Sequence, residues 1–223
     1  MQHPLILSTY PRCGGVEEDK EAAPLKRKIA EKRIDGLEHF RPTKGRLLEI
    51  GFGYGYTLEE ANRRGWRCEG VELSEHAVAI ATDKGLWVYS GEFTEIKFER
   101  NSYDAVTAYS IIEHHKSPRK MLTEIREILK PGGIAIIRLP YLEKEDTPLL
   151  SLLEHFYHFT LSSFESLLSQ TGFQIISREM TGVHQREYGI TKSVTFVVRK
   201  EDGTTYMDLN KLNRYRRSHE SSL

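Results

Sequence analysis

Cysteine is scarce: Cys13 and Cys68 are the only two in 223 residues. Two thiols make neither a disulfide framework nor a cysteine-based zinc site, and that fits a reducing compartment. Cys13 stands beside Gly14 and Gly15, yet no second Cys or His lies at ligand spacing, which argues against a metal knuckle. An excess of charge is missing too. The 32 basic residues balance 32 acidic ones, so the chain lacks the electrostatic footprint of a nucleic-acid binder. Long apolar runs are absent: no stretch approaches the roughly 20 residues of a membrane span. The opening MQHPLILSTYPR has neither the basic region nor the long apolar core of a signal peptide. A soluble cytoplasmic protein is the expectation. The length suits one domain with a substantial core. No internal repeat or second domain is evident, and the sequence specifies no oligomeric state.

What the chain does have is LLEIGFGYGY, Leu47 to Tyr56. Leu47, Leu48 and Ile50 read as a short strand, ended by glycines. Glycine reaches positive φ cheaply and leaves room for a ligand against the main chain. Thr57–Arg64 reads as a helix, so the glycines lie at a strand-to-helix turn. The unpaired N–H groups of such a turn suit a nucleotide-like or anionic ligand.

Around this turn the chain alternates. Residues 17 to about 40 are charged, with Leu25, Ile29, Leu37 and Phe40 recurring at helical intervals, and Pro24 stands near the helix start. After GRLLEI and the first helix come a second strand, RCEGVEL, and a helix over Glu75–Lys84, capped by Ser74 and ended by Gly85. LWVYS and YDAVTAYS are the third and fourth strands. Pro118 opens a helix whose stripe is Met121, Leu122, Ile125, Ile128 and Leu129; PGG stops it, and IAIIRL is a fifth strand. This alternation predicts an α/β fold with a mostly parallel sheet and helices on both faces. After Pro140 an aromatic, histidine-bearing segment follows. Ser162 is a candidate cap for a helix to Gln170, and FQIISREM and KSVTFVVRK are expected to form an antiparallel pair at the sheet edge. Residues 1–44 read as an irregular segment plus covering helix, 45–200 as the domain, and 201–223 as a polar tail.

Two ligand classes use such a turn. The dinucleotide fingerprint G-x-G-x-x-G needs its third glycine where this chain has Tyr56, which counts against NAD. Glu72 closes the second strand, where a carboxylate accepts from ribose hydroxyls. Taken together, LLEIGFGYG, GVELS, GEFTEIKFERNSYDAVTAYSIIEH, MLTEIREILKPGGIAIIRLP and HFYHFTLSSFESLLSQTGFQIIS resemble, in order, the motifs of a class I S-adenosylmethionine-dependent methyltransferase. The resemblance runs from about Gly45 to Ser177 and leans toward the enzymes of ubiquinone and sugar methylation.

That resemblance implies a Rossmann-like three-layer sandwich whose seven-stranded sheet has an antiparallel edge strand, and S-adenosyl-L-methionine as cofactor. It also implies roles. Glu49 would orient the methionine end. Gly51, Gly53 and Gly55 would let the chain pass beneath the methionine and ribose. Glu72 would hold both ribose hydroxyls, Glu92 would meet the adenine amino group, the Phe93 N–H would face a ring nitrogen, and Ser110 would lie near the methionine amino group. The acceptor is expected to be a small molecule carrying a hydroxyl, with no nucleic-acid partner. A hydroxyl acceptor needs a base with pKa near 7, usually His. His114 is the first candidate, ahead of His115; His158, Tyr157 and His155 lie in a segment that reads equally as an aromatic lid. No carboxylate spacing supports a metal among these histidines, and none is expected. An NAD-dependent oxidoreductase and a non-catalytic cofactor-binding scaffold are the alternatives.

Overall fold

The computed structural model describes residues 22–143, 155–186 and 189–200, with backbone alone for 181–186 and 189–191. The segment 1–16 with Cys13, the tail 201–223 and residues 144–154 of the expected lid lie outside the described residues. The elements are α1 (Ala23–Phe40), β1 (Arg46–Ile50), α2 (Tyr56–Arg63), β2 (Arg67–Glu72), α3 (Glu75–Asp83), β3 (Val88–Ser90), β4 (Tyr103–Tyr109), α4 (Pro118–Ile128), β5 (Leu129–Tyr141), α5 (Leu161–Gln170), β6 (Phe173–Arg186) and β7 (Gly189–Lys200). Single 3-10 turns at Phe93–Glu95 and Ile112–His114 precede β4 and α4.

The seven strands form one sheet in the order β3-β2-β1-β4-β5-β7-β6. Strands β1 to β5 are parallel. Strand β7 runs against both β5 and β6, making the expected antiparallel pair at the sheet edge, with β6 outermost. Period-two alternation sorts each strand between two cores. Leu47, Ala105, Ile134 and Ile136 face α1, α2 and α3 with Ile34, Leu37, Leu58 and Ala81. Their neighbours Leu48, Val106, Ala135 and Ile137 face α4 and α5 with Met121, Leu122, Phe164 and Leu168. Near-continuous apolar strands are what a sheet covered on both faces requires. Cys68 is buried on β2, where loss of solvent pushes its thiol up to about 12 and leaves it inert.

Local signals hold with some shifts. Pro24 lies in the first turn of α1, and the Ser74 side chain caps α3 by accepting from the Ala77 N–H. The buried stripe of α1 is Ala30, Ile34 and Leu37, whereas Leu25 and Ile29 are exposed; the small alanine lets the helix lie close. Thr160, not Ser162, caps α5, in a reciprocal box with Ser163. Helix α4 ends at Ile128, before the PGG stretch, which lies inside β5 as a register break between the Tyr103 and Ala105 pairings.

At the amino ends of β1 and β4, Asp104 ties three segments. Its Oδ2 accepts from the Arg46 N–H (2.9 Å) and Lys130 Nζ (2.6 Å), and its Oδ1 from Arg41 (2.7 Å). Burial raises its carboxyl, but Lys130, the Arg46 amide and Arg41 outweigh that and leave it below the usual range. A depressed carboxyl stabilises above its unfolded value, and that contribution is lost as pH falls through the folded one. Asp104→Asn should therefore cost about 2 kcal/mol at pH 7, below the full cost of a buried pair because the cations are partly solvated. In urea unfolding the gap between wild type and variant should narrow progressively as pH falls below about 4; a gap as wide at pH 3 as at pH 7 would contradict the assignment.

Candidate active site

The chain goes from β1 outward to β2 and β3, then returns to place β4 on the other side of β1. Ligands of such sheets bind at the carboxyl ends of the strands, beside this reversal. There the turn after β1 carries Gly51, Gly53 and Gly55 at φ of 71°, 56° and 80°. Their surroundings differ. A Cβ on Gly51 would overlap the Ile111 side chain, and one on Gly55 would come within 2.6 Å of Leu86 Cδ1, whereas one on Gly53 would meet nothing within 4 Å among the described residues. Two of the glycines thus admit protein side chains, and Gly53 alone faces open space. Gly55 also does the helix-packing work of a fingerprint's third glycine, one residue early, so Tyr56 opens α2 and is buried.

Glu49, one residue before the end of β1, is 1% exposed, and its Oε2 has no hydrogen-bond partner among the described residues. Its Oε1 lies 3.8 Å from Arg33, which also donates to Thr57 Oγ1 (3.1 Å) and lies over the Tyr109 ring at 3.9 Å. Burial pushes Glu49 up to about 7, against the pull of Arg33. Arg33 escaped the sequence reading because one arginine in a basic helix carries no local signal. Glu72, at the end of β2, accepts on Oε1 from the Leu73 and Ser74 N–H groups and on Oε2 from Gly53 N–H (3.0 Å). Glu72 thus shapes the glycine turn, and a carboxylate with about four lone-pair positions is not exhausted by these three donors.

Glu92, after β3, is half-buried with Oε1 3.3 Å from His115 Nε2. The His115 contact, against burial and helped by the Thr94 and Phe93 N–H groups, holds its carboxyl below the usual range. His115 Nδ1 accepts from the Ser117 N–H (2.9 Å), which puts the ring proton on Nε2, toward Glu92. His115 therefore braces Glu92. The Phe93 ring is buried and stacks on Phe98. Ser110, just past β4, is exposed at a left-handed φ of 57°, with its N–H on the Arg138 carbonyl.

His114 ends the 3-10 turn after β4, and its ring meets the His155 ring edge-to-face at 4.5 Å. The His158 ring is 5.9 Å from that of His155. Tyr157 is exposed and its hydroxyl donates to the Lys116 carbonyl, which ties it to a neighbouring loop. Between them lies a residue the sequence reading passed over. Glu113 is 1% exposed, neither carboxylate oxygen has a hydrogen-bond partner among the described residues, and burial pushes it up to about 7. Its ligand atoms and those of His114 and His155 lie within 4.8 Å of one another. Sequence spacing offered no carboxylate to these histidines; the fold supplies one.

A family of methyltransferase domains matches residues 21–178. The chain belongs to that family. A ubiquinone biosynthesis O-methyltransferase of Nitrosococcus oceani is 27% identical over 128 residues, 52% of each chain. A C-methyltransferase of Streptomyces niveus is 26% identical over 157 residues, 66% of this chain and 37% of that one. An uncharacterized protein of Methanocaldococcus jannaschii is 31% identical over 109 residues, 49% of this chain and 51% of that one. The match spans about half the length of the first of these curated relatives. Among solved structures, the Haemonchus contortus phosphoethanolamine N-methyltransferase 2 complex with phosphomonomethylethanolamine and S-adenosylhomocysteine superposes with TM-score 0.64 at 19% identity, over 82% of this chain and 58% of that one. That likeness is one of fold, and this methyltransferase domain has the Rossmann-like sheet expected from the sequence. Among the described residues, no helix is long and apolar enough to cross a membrane.

The two kinds of glycine are separable by experiment. Gly51→Ala combines a left-handed φ with overlap on Ile111 and should lose about 2–3 kcal/mol. Gly53→Ala has the φ strain alone and should lose about 1 kcal/mol. Equal losses in urea unfolding would contradict this division of the turn.

Proposed function

We propose that the protein transfers a methyl group from S-adenosyl-L-methionine to a hydroxyl of a small-molecule acceptor. The observation that carries this reading is Glu49: a buried carboxylate with an unpartnered oxygen, beside a turn that is open at Gly53. A buried carboxylate oxygen without a hydrogen bond is costly, and the donor's ammonium is a suitable partner. When bound, the donor supplies a methyl group already activated on a sulfonium. Glu49 holds the ammonium, Glu72 takes the ribose hydroxyls, and Glu92 with the Phe93 N–H meets the base. Ser110 closes the methionine end. The protein's task is then alignment and exclusion of water, with His114 placed after β4 to take the acceptor proton. The relatives' names, O- and C-methyltransferases, support a small-molecule acceptor. Titration with S-adenosylmethionine, S-adenosylhomocysteine and NAD tests the cofactor. Labelled methyl transfer into a metabolite extract tests catalysis; donor binding without any transfer would favour the scaffold alternative.

Donor binding should depend on pH through Glu49. A carboxyl raised to about 7 holds its proton in the ligand-free state at pH 6, whereas an ammonium needs the ionised form. Affinity should thus rise as pH goes from about 5.5 to 7, by up to roughly tenfold per unit, with proton release visible as buffer-dependent calorimetric heat. Glu49→Gln should abolish that release; a wild type with pH-independent affinity would refute the role. The same raised carboxyl makes the ligand-free fold less stable as pH rises from about 4.5 through 7, because the unfolded chain gives up a proton that the folded state keeps.

Two further variants divide the site. Glu72→Ala should weaken donor binding by about 2 kcal/mol, the scale of a lost hydrogen bond to a charged group. His114→Ala should leave donor affinity in place and lower turnover about 10²–10⁴-fold, with a residual rate that rises with pH as the acceptor ionises. A His114→Ala rate near wild type would leave alignment as the whole mechanism.

A further inference from the structure

We infer that Glu113, His114 and His155 form a binding site for a divalent transition-metal ion of the zinc class. Three observations converge. Glu113 is buried with two unpartnered oxygens. Native proteins rarely leave such a group without hydrogen bonds, a charge partner or a metal. The Glu113 backbone N–H and Arg138 on β5 pull its carboxyl down, but among the described residues neither oxygen makes a hydrogen bond of good geometry. Second, the fold delivers a second imidazole from a distant part of the chain. The Phe156 and Tyr157 N–H groups donate to the Glu113 carbonyl at 2.9 and 3.3 Å, which docks the segment bearing His155 onto the turn bearing Glu113 and His114. Third, the distances suit a metal. The three ligand atoms lie within 4.8 Å of one another. A tetrahedral site with bonds of about 2.1 Å needs about 3.4 Å between ligand atoms, so side-chain rotation of about an ångström closes it. His158, with its ring 5.9 Å from that of His155, is near enough to brace the site.

The donor set selects the ion. Imidazole nitrogens suit Zn²⁺ and its neighbours, whereas Mg²⁺ prefers an all-oxygen set. Three protein ligands are also the number that leaves a position open. The use of that position rests on the methyl-transfer reading: an acceptor hydroxyl bound there would lose its proton at a lower pH, so that with the ion in place His114 serves as a ligand, and without it as the proton acceptor proposed above. Binding of the ion itself does not depend on that reading.

The test uses the full chain, stripped with a chelator and titrated with Zn²⁺, Mg²⁺ and, for its visible spectrum, Co²⁺. Donor affinity is measured separately on the same samples. Zn²⁺ should bind at micromolar concentration or tighter, with Mg²⁺ about a hundredfold weaker or more, and Co²⁺ should show the absorption of a low-coordinate nitrogen and oxygen site. His155→Ala, at a partly exposed position, and Glu113→Gln should each weaken Zn²⁺ about tenfold or more and remove the Co²⁺ band. A wild type that binds no Zn²⁺, equal binding of Mg²⁺, or His155→Ala binding Zn²⁺ like wild type would each overturn the inference. Zn²⁺ binding by a chain that fails to bind the donor would support it while overturning the methyl-transfer reading.

Discussion

The turn after β1 has to leave a central parallel strand, start a helix on one face of the sheet and still keep space at the strand's carboxyl end. These demands fall on five residues. Gly51 yields its side-chain position to Ile111, which follows β4, so the turn and the β4 end interlock. Gly55 yields its own to Leu86, near the start of β3, and brings α2 down onto its neighbours. Gly53 lies between them, and its N–H is held by Glu72 from the end of β2 (3.0 Å). The turn is therefore defined by contacts from the ends of several strands, and the open surface at Gly53 is what remains after the other two positions are filled. An enclosed carboxylate beside it, Glu49, is the natural consequence of a polar residue on a strand that is buried on both faces.

Two acids in this region are raised to about 7 by burial, Glu49 and Glu113. Each lacks enough hydrogen bonds for a permanent charge, so each is poised to change state when a cation arrives. Their settings differ. Glu49 has Arg33 within 3.8 Å and lies by the glycine turn, which suits an organic ammonium. Glu113 has two imidazoles around it, which suits an ion that takes lone pairs. Glu92 provides the contrast: His115 and neighbouring N–H groups satisfy it, and its carboxyl is lowered instead. Perturbed acids of this kind collect at functional sites because a fold that needed only stability would pair them or replace them.

What the sequence by itself determined was local and periodic. The βα alternation, the glycine turn, the Ser74 cap, the α4 stripe and the antiparallel final pair all follow from short-range pattern, since hydrophobic period and turn chemistry act over a few residues. The placing of Glu49, Glu72 and Glu92 along one edge was legible because each acid lies at or just past the end of a strand, and a parallel sheet gathers strand ends on one edge. Tertiary structure decided everything that needed two distant segments at once. It made Gly51 and Gly55 packing residues, because Ile111 and Leu86 arrive from elsewhere. It carried Arg33 from a basic helix with no distinguishing motif to the side of Glu49 and Tyr109. It turned His115 into a brace for Glu92 through a backbone bond from Ser117. And it brought His155 to Glu113 and His114 across some forty residues of chain, a meeting that depends on where the fold returns the chain after β5 and that no local spacing encodes.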